Sequence, residues 1–193
     1  MQLQQIEQQL IDRVVSGDTR AFAGIVDRHK DKAMTLAVRL LRNREEAEEA
    51  LQDAFVRAYK GLVAFNRNAS FSTWLYRIVY NVCLTRIAKR RHSAGHISLE
   101  DQTEEMYHNE TPLQEIDSKD RAEFISKAID TLPQHLSIPV TLFYVQELSY
   151  DEISEVTGMP LGTVKTNLHR SRKILAEKLT RLGIVPNEER KTS

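Results

Sequence analysis

The chain has 193 residues, of which 28% are charged and 41% apolar, so it is globular and long enough for one ordinary domain or two small ones. Only seven Gly and five Pro residues are present, and this scarcity of turn-formers favours helices. One cysteine excludes an intrachain disulfide, and the N-terminus lacks the apolar run of a signal peptide. No stretch reaches the roughly 20 apolar residues of a membrane span, so we expect a cytoplasmic protein without direct membrane insertion.

The formal net charge is zero, but the charges are segregated along the chain. Residues 66–92 include six basic and no acidic side chains, and residues 161–181 include six basic and one acidic. Between these segments, residues 93–120 contain eight acidic side chains and one basic. Two basic segments separated by an acidic one predict a protein that binds a polyanion at two places.

The hydrophobic periodicity predicts an N-terminal helical domain over residues 1–92. Asp18 or Thr19 is expected to cap its second helix, and Ser70 or Ser72 its fourth. The four predicted helices span about 6–15, 19–41, 45–62 and 70–91. Phe71 and Trp74 share the apolar stripe of the fourth helix and are assigned to the core.

Residues 93–118 lack a helical period and are acidic, which predicts a flexible linker. A second helical domain is expected over 119–184, followed by a tail at 185–193. Pro139 falls inside a helix predicted over 134–146 and should distort it unless it lies in the first turn. The predicted fold is therefore all-α, with two small helical domains joined by a flexible acidic linker.

Residues 149–173 have the pattern of a helix-turn-helix. Ser149 and Glu152 can form a capping box, Gly158 stands where a helix ends in a left-handed residue, and Pro160 suits the start of the next helix. That next helix buries Leu and Val on one side and presents polar and basic side chains on the other, which is the chemistry of a major-groove reader. The candidates for contact with duplex DNA are Thr163, Lys165, Thr166, Asn167, His169, Arg170 and Lys173. The alternative is an amphipathic hairpin with a solvated polar face.

Five segments, at 17–22, 45–59, 71–81, 148–153 and 161–166, resemble in order the motifs of the extracytoplasmic-function (ECF) sigma factors of bacterial RNA polymerase. The resemblance covers about residues 10–180. The sequence departs from the family at Glu49 and Thr85, where the family often has Asp, and at Pro139, which is unusual in its helix.

The resemblance implies an alternative sigma factor that binds core RNA polymerase and directs promoter-specific initiation at −10 and −35 elements. The predicted helix-turn-helix would read the −35 element. The helix over 45–62 would dock on the clamp helices of the largest polymerase subunit, and the flap is a further implied contact. The candidates on its outer face are Glu49, Gln52, Asp53 and Arg57. The family also implies control by an anti-sigma factor.

The resemblance assigns the −10 element to the loop 66–70 and the helix after it. Opening a duplex costs a few kcal/mol per extruded base, which binding of the opened strand must offset through polar groups for base edges, aromatic rings for stacking and cations for phosphates. The candidates are Asn66, Arg67, Asn68, Ser70, Tyr76, Arg77, Tyr80, Asn81, Lys89, Arg90 and Arg91. The linker would run through the polymerase toward its RNA exit path. There its negative charge would mimic nucleic acid, or the linker would be a plain solvated tether.

Other chemistry finds little support in the sequence. His92 and His96 have the spacing of metal ligands, but the sequence offers no obvious third ligand. It also contains no phosphate-binding loop, no nucleophile elbow and no acid–base pair in a catalytic context. We therefore expect no metal, no cofactor and no enzyme activity. The main alternative is a two-domain DNA-binding regulator whose N-terminal half senses a signal or dimerises, which predicts an N-terminal ligand pocket and dimeric, palindromic sites. A third alternative is a purely structural helical adaptor without affinity for DNA.

Overall fold

The computed structural model describes residues 2–93 and 118–181, and every regular element in those ranges is helical, which confirms the all-α prediction. The elements are α1 (Gln2–Val15), α2 (Ala21–Leu41), α3 (Arg44–Gly61), α4 (Phe71–Ser93), α5 (Ser118–Asp130), α6 (Gln134–Tyr144), α7 (Tyr150–Thr157) and α8 (Leu161–Arg181), with a 3-10 turn at Leu62–Ala64. The predicted linker, except for its end residues, lies outside these ranges, as do the predicted tail and His96. Within them, no helix is long and apolar enough to cross a membrane.

Helices α1 to α4 form an N-terminal unit in which α2, α3 and α4 pack against one another around apolar side chains such as Ile25 and Leu75. Asn43 caps α3 by accepting from the amide of Glu46 at 2.9 Å. Ser70 does the same for α4, accepting from the amide of Thr73 at 3.2 Å.

Asp18, one of the two residues predicted to cap α2, lies at the start of this helix. The helix begins at Ala21 behind Arg20, whose own side chain makes no cap hydrogen bond, and backbone hydrogen bonds from Ala21 and Arg20 are among the causes that lower the pKa of Asp18. The largest cause is the hydrogen bond that the Asp18 carboxylate accepts from the guanidinium of Arg13 at 2.6 Å. Asp18 therefore ties the end of α1 to the following turn.

Helices α5 to α8 form a C-terminal unit, with α8 packed on α5, α6 and α7. The interior contains one stripe from each of the last two helices, including Ile153 and Val156 from α7 and Val164 and Leu168 from α8. Pro139 lies inside α6, and the helix continues through it.

The two units pack against each other, with α7 lying on α4 and α6 on α2. Arg39 of α2 is almost fully buried, and its guanidinium donates to Asp130 at 2.9 Å, to Ser126 at 2.9 Å and to Thr141 at 2.7 Å, all in the C-terminal unit. The sequence indicates two domains on a tether and contains no sign of this contact.

Candidate nucleic-acid interface

Helices α7 and α8 form the helix-turn-helix with the local geometry that the sequence predicts. Ser149 accepts from the amide of Glu152, and Glu152 reaches back to the amide of Ser149 at 2.9 Å, which completes the capping box. Gly158 ends α7 at a φ of 72°, a left-handed conformation that glycine adopts without a Cβ clash. The turn through Met159 and Pro160 then sets the start of α8.

The outer face of α8 carries the residues predicted to read duplex DNA. Six of the seven are exposed on this helix, and the three charged ones are all basic. We call them the recognition face: Thr163, Lys165, Thr166, His169, Arg170 and Lys173. A solvent-exposed helix face with one sign of charge is suited to phosphates and base edges in a major groove.

Asn167, the seventh predicted reader, is buried at 6% exposure and makes an internal contact. Its amide nitrogen donates to the carbonyl oxygen of His135 at 3.1 Å. In a regular helix that carbonyl would accept from the residue four positions later, but here that residue is Pro139, which has no N–H. The structure therefore assigns Asn167 to hydrogen bonding with α6, and its predicted role as a base reader does not fit this placement.

Arg172 lies outside the recognition face and holds the unit together. Its guanidinium carbon is 5.2 Å from the centre of the Phe143 ring, and it donates to the hydroxyls of Tyr144 at 2.9 Å and Tyr150 at 3.0 Å. The hydrogen bond to Tyr144 is the largest cause that raises the pKa of Arg172. Of the basic side chains on α8, this one is therefore structural.

The loop predicted to hold the −10 element exposes Asn66, Arg67, Asn68 and Ser70. The side chain of Asn66 accepts from the amide of Asn68 at 3.2 Å, and Arg67 has a left-handed φ of 60°. These features give the loop a tight turn, and the guanidinium of Arg67 donates to the carboxylate of Asp12 in α1.

Tyr76 and Tyr80, predicted to stack on bases, are buried at 1% and 9% exposure. Burial raises the pKa of both phenols. Tyr76 lies beside His29, with 3.5 Å between its hydroxyl and Nδ1. Tyr80 lines a cavity of about 200 Å³ between the units, together with residues of α6 and Met159. The predicted stacking surface is therefore covered in this arrangement.

The remaining predicted −10 residues lie along the exposed side of α4. Arg77, Asn81, Lys89, Arg90 and Arg91 are all exposed. Arg90 also pairs with Glu46 of α3 at 3.6 Å. The C-terminal half of α4 thus presents cations next to α3.

The candidates for polymerase contact, Glu49, Gln52, Asp53 and Arg57, are all exposed on α3. Arg86 of α4 donates to Glu49 at 2.8 Å and to Asp53 at 2.6 Å, and the bond to Glu49 is the largest cause that raises the pKa of Arg86. A cleft of about 380 Å³ is lined by Asp53, Arg57 and Arg86, among others. Arg86 therefore fixes the positions of two of the four candidates.

Thr73 and Glu155 were missed from the sequence, and Glu152 was seen only as a capping residue. All three lie where α7 meets α4: Glu152 accepts from Ser70 at 3.0 Å and from Thr73 at 2.7 Å, and Glu155 lies 3.7 Å from Arg77. Sequence periodicity describes one helix at a time, so it gives no signal for a contact between units.

Comparison with known proteins agrees with this geometry. The Sigma-70 region 2 family model matches residues 25–93, and the Sigma-70, region 4 model matches residues 125–175. The chain is 39% identical to the ECF RNA polymerase sigma factor SigW of Bacillus subtilis, covering 88% of this chain and 94% of that protein. It is 32% identical to the RNA polymerase sigma-H factor of Pseudomonas aeruginosa, covering 93% of this chain and 96% of that protein.

Solved structures show the same fold at lower identity. CnrH in complex with the cytosolic domain of CnrY aligns with a TM-score of 0.61 at 21% identity, over 91% of this chain and 98% of that one. The sigma factor RpoE of Bartonella quintana, in complex with the anti-sigma factor NepR, has the same TM-score and identity over 82% and 96%. With two matched sigma regions and relatives that align over nearly their whole length, this chain belongs to the ECF sigma factors of RNA polymerase.

Proposed function

We propose that this sigma factor binds the −35 element through the recognition face of α8. The supporting observation is that six exposed polar and basic side chains share one side of a helix set by a complete capping box. Arg170 is the residue best suited to bidentate contact with guanine, and Lys165 and Lys173 suit phosphates. Asn167 is left out of this set because its amide is engaged by His135.

We further propose that the loop 66–70 and the exposed side of α4 hold the opened −10 strand. Asn66, Asn68 and Asn81 supply amides for base edges, and the basic side chains of α4 supply cations for phosphates. Tyr80 is buried and lines a cavity whose opposite side is formed by residues of α6 and Met159, so we propose that it becomes available for stacking when the C-terminal unit moves away from α4.

The exposed face of α3 is proposed to dock on core RNA polymerase at the clamp helices, with the flap as a second contact. Glu49 and Asp53 are held by Arg86, so their carboxylates are pre-positioned, which lowers the entropy lost on binding. The exposed Val56 and Tyr59 on the same helix add apolar area of the kind found in interface cores.

We propose a domain division at 1–92 and 119–184, with 93–118 as the linker and 185–193 as a tail, and a cytoplasmic location. An anti-sigma factor is the proposed regulatory partner, supported by the two solved relatives: RpoE is in complex with the anti-sigma factor NepR, and CnrH is in complex with the cytosolic domain of CnrY. The family is one of transcription factors and not of catalysts, so no enzyme activity is proposed.

The test is transcription by core RNA polymerase on a library of templates with randomised upstream sequence. We expect transcripts from templates that share two motifs at a fixed spacing, only when this protein is added. Asp53→Asn should lose core binding, whereas Glu177→Gln, which removes the same charge from exposed α8, should not. A protein that shifts duplex DNA but yields no specific transcript would be a plain DNA-binding regulator.

A further inference from the structure

Glu152 divides its two carboxylate oxygens between the two units. Oε2 accepts from the amide and the hydroxyl of Ser149 in its own helix cap, each at 2.9 Å. Oε1 accepts from Ser70, the cap of α4, at 3.0 Å and from Thr73 in the first turn of α4 at 2.7 Å. Only Oε2 is needed for the capping box. The contact through Oε1 is therefore additional to the fold of the helix-turn-helix.

The groups around Glu152 stabilise the charged form of its carboxylate. Burial by itself raises its pKa, but hydrogen bonds from the Ser149 amide and the Thr73, Ser149 and Ser70 hydroxyls outweigh burial and hold the pKa below its ordinary value. One turn away, Glu155 pairs with Arg77, and both of these side chains are about half exposed. Two hydroxyls and one guanidinium at the start of α4 thus bind two carboxylates of α7. We call Ser70, Thr73 and Arg77 the α4 donor set.

We propose that the α4 donor set is a phosphate-binding site for single-stranded DNA, which Glu152 and Glu155 occupy when the two units are packed together. Hydroxyls and guanidinium groups bind the oxygens of carboxylates and phosphodiesters through the same hydrogen bonds. Helix α7 and the strand therefore compete for one site. This inference rests on the proposed function, and it adds Thr73 to the −10 surface and a regulatory role to α7.

The span of a promoter requires the two units to separate. Elements centred about 25 base pairs apart lie about 85 Å apart at 3.4 Å per base pair. A compact body of 156 residues, the number that the structure describes, has a radius of gyration of about 15 Å. In the packed arrangement the recognition face and the α4 donor set therefore cannot reach both elements at once. Separation withdraws both carboxylates and frees the donors for the strand.

The first experiment measures binding of the full chain, without polymerase, to a fluorescein-labelled single-stranded 15-mer of random sequence. Glu152→Gln/Glu155→Gln keeps the capping box, because Gln serves in it as well as Glu. The amide has one acceptor oxygen, so the contact with α4 weakens. We expect this variant to bind about tenfold more tightly than the unaltered chain, because charge-assisted contacts that hold the site closed are lost.

The matched control is Asp151→Asn/Glu177→Gln, which removes the same charge from the C-terminal unit. Both residues are exposed, and within the described residues neither forms a hydrogen bond or ion pair with α4. We expect the control to gain less than twofold. Equal gains in the two variants would overturn the proposal, because the effect would then be general repulsion of the strand.

The second experiment tests the donors in the Glu152→Gln/Glu155→Gln background. Arg77→Gln should return affinity toward that of the unaltered chain and lower the slope of log K against log salt by about 0.7, the value for one phosphate contact on a single strand. Lys60→Gln, an exposed charge on α3, should leave both unchanged. Ser70→Gly, which retains a tolerated capping residue, should also weaken binding. Donor variants without effect would exclude the site.

Transcription separates this inference from the proposed function. If the library yields no specific transcript, the proposed function fails whatever the binding results. If transcription is specific but the unaltered chain binds the 15-mer as tightly as the Glu152→Gln/Glu155→Gln variant, the sigma function stands and the competition by α7 is wrong.

Discussion

Replacement of Asn167 by Ala tests whether this side chain forms a hydrogen bond with α6 or contacts a DNA base. Its amide nitrogen donates to the carbonyl of His135 at 3.1 Å, at a buried position. The carbonyl has no donor within its own helix because Pro139 stands four residues later. Asn167→Ala therefore leaves a buried acceptor unsatisfied, and such a group costs about 1–3 kcal/mol of unfolding free energy.

The cause can be isolated by a double-mutant cycle with Pro139→Ala. The alanine introduced by this substitution would supply the backbone N–H that proline lacks, so the His135 carbonyl would gain a donor inside α6. In that background the loss of Asn167 should cost much less, with a coupling free energy of about 1–2 kcal/mol. Thr166→Ala is the matched neighbour: its hydroxyl only bonds back to the Gly162 carbonyl at 2.8 Å, on an exposed position, so we expect almost no change.

The measurement is urea unfolding of the full chain, followed by helical circular dichroism, for the single and double variants. Binding to a selected −35 duplex is measured in parallel. If Asn167 is internal, its loss weakens binding to all duplexes equally and leaves the preferred sequence unchanged. An identical unfolding cost with and without the Pro139→Ala substitution, or a changed base preference at one position, would refute the reasoning.

Three further predictions follow from side chains outside that pair. Burial raises the pKa of the Cys83 thiol to about 12, so at pH 8 iodoacetamide should label it only after unfolding in urea, and rapid labelling of the folded protein would contradict its burial. Arg170→Ala should relax base preference in the −35 element, measured by selection from a duplex library, and leave stability unchanged. Arg172→Ala should lower the unfolding free energy in urea by about 1–2 kcal/mol, because its contacts with the Phe143 ring and the tyrosine hydroxyls are lost. If Arg172→Ala changed base preference and Arg170→Ala lowered stability, the two roles would be exchanged. Arg39→Gln should loosen the contact between the units and increase the radius of gyration in small-angle scattering, and an unchanged radius would show that Arg39 does not hold them together.

Local patterns were sufficient to predict the helix-turn-helix. The capping box of Ser149 and Glu152, the left-handed Gly158 and the apolar stripe of α8 are all set by residues within a few positions of one another. The same holds for the all-α class and for the exposed residues of α3. These predictions succeeded because helix periodicity and capping are properties of a short stretch of chain.

Asn167 and the two tyrosines could not be placed from the same patterns. Asn167 sits at the border of the polar face of α8, where its direction depends on an orphan carbonyl created by Pro139 in another helix. Tyr80 lines a cavity together with residues of the C-terminal unit, so its surroundings depend on how the units pack. A helical wheel describes neither contact, because both are decided by tertiary structure.

The polar character of the contact between α2 and α6 suits an arrangement that opens. The guanidinium of Arg39 donates to three side chains of the C-terminal unit. In the other direction, Gln134 donates to the backbone carbonyl of Leu40 and Gln146 to that of Lys32, each at 2.8 Å. Water can replace such partners, so each neutral contact contributes a net of about 1 kcal/mol, and each contact of the charged guanidinium about 1.5–3 kcal/mol.

Packing of the units also carries a cost, because Oε1 of Gln146 is buried and, within the described residues, has no hydrogen-bond partner. Separation would return this oxygen to water and recover its desolvation penalty. The packed arrangement is thus held in part by polar contacts that water can replace, and one orphaned acceptor opposes it. A partner that binds only the separated state can shift such a balance by its differential affinity. Core RNA polymerase, which the proposed function requires to hold both units at promoter distance, is a partner of that kind.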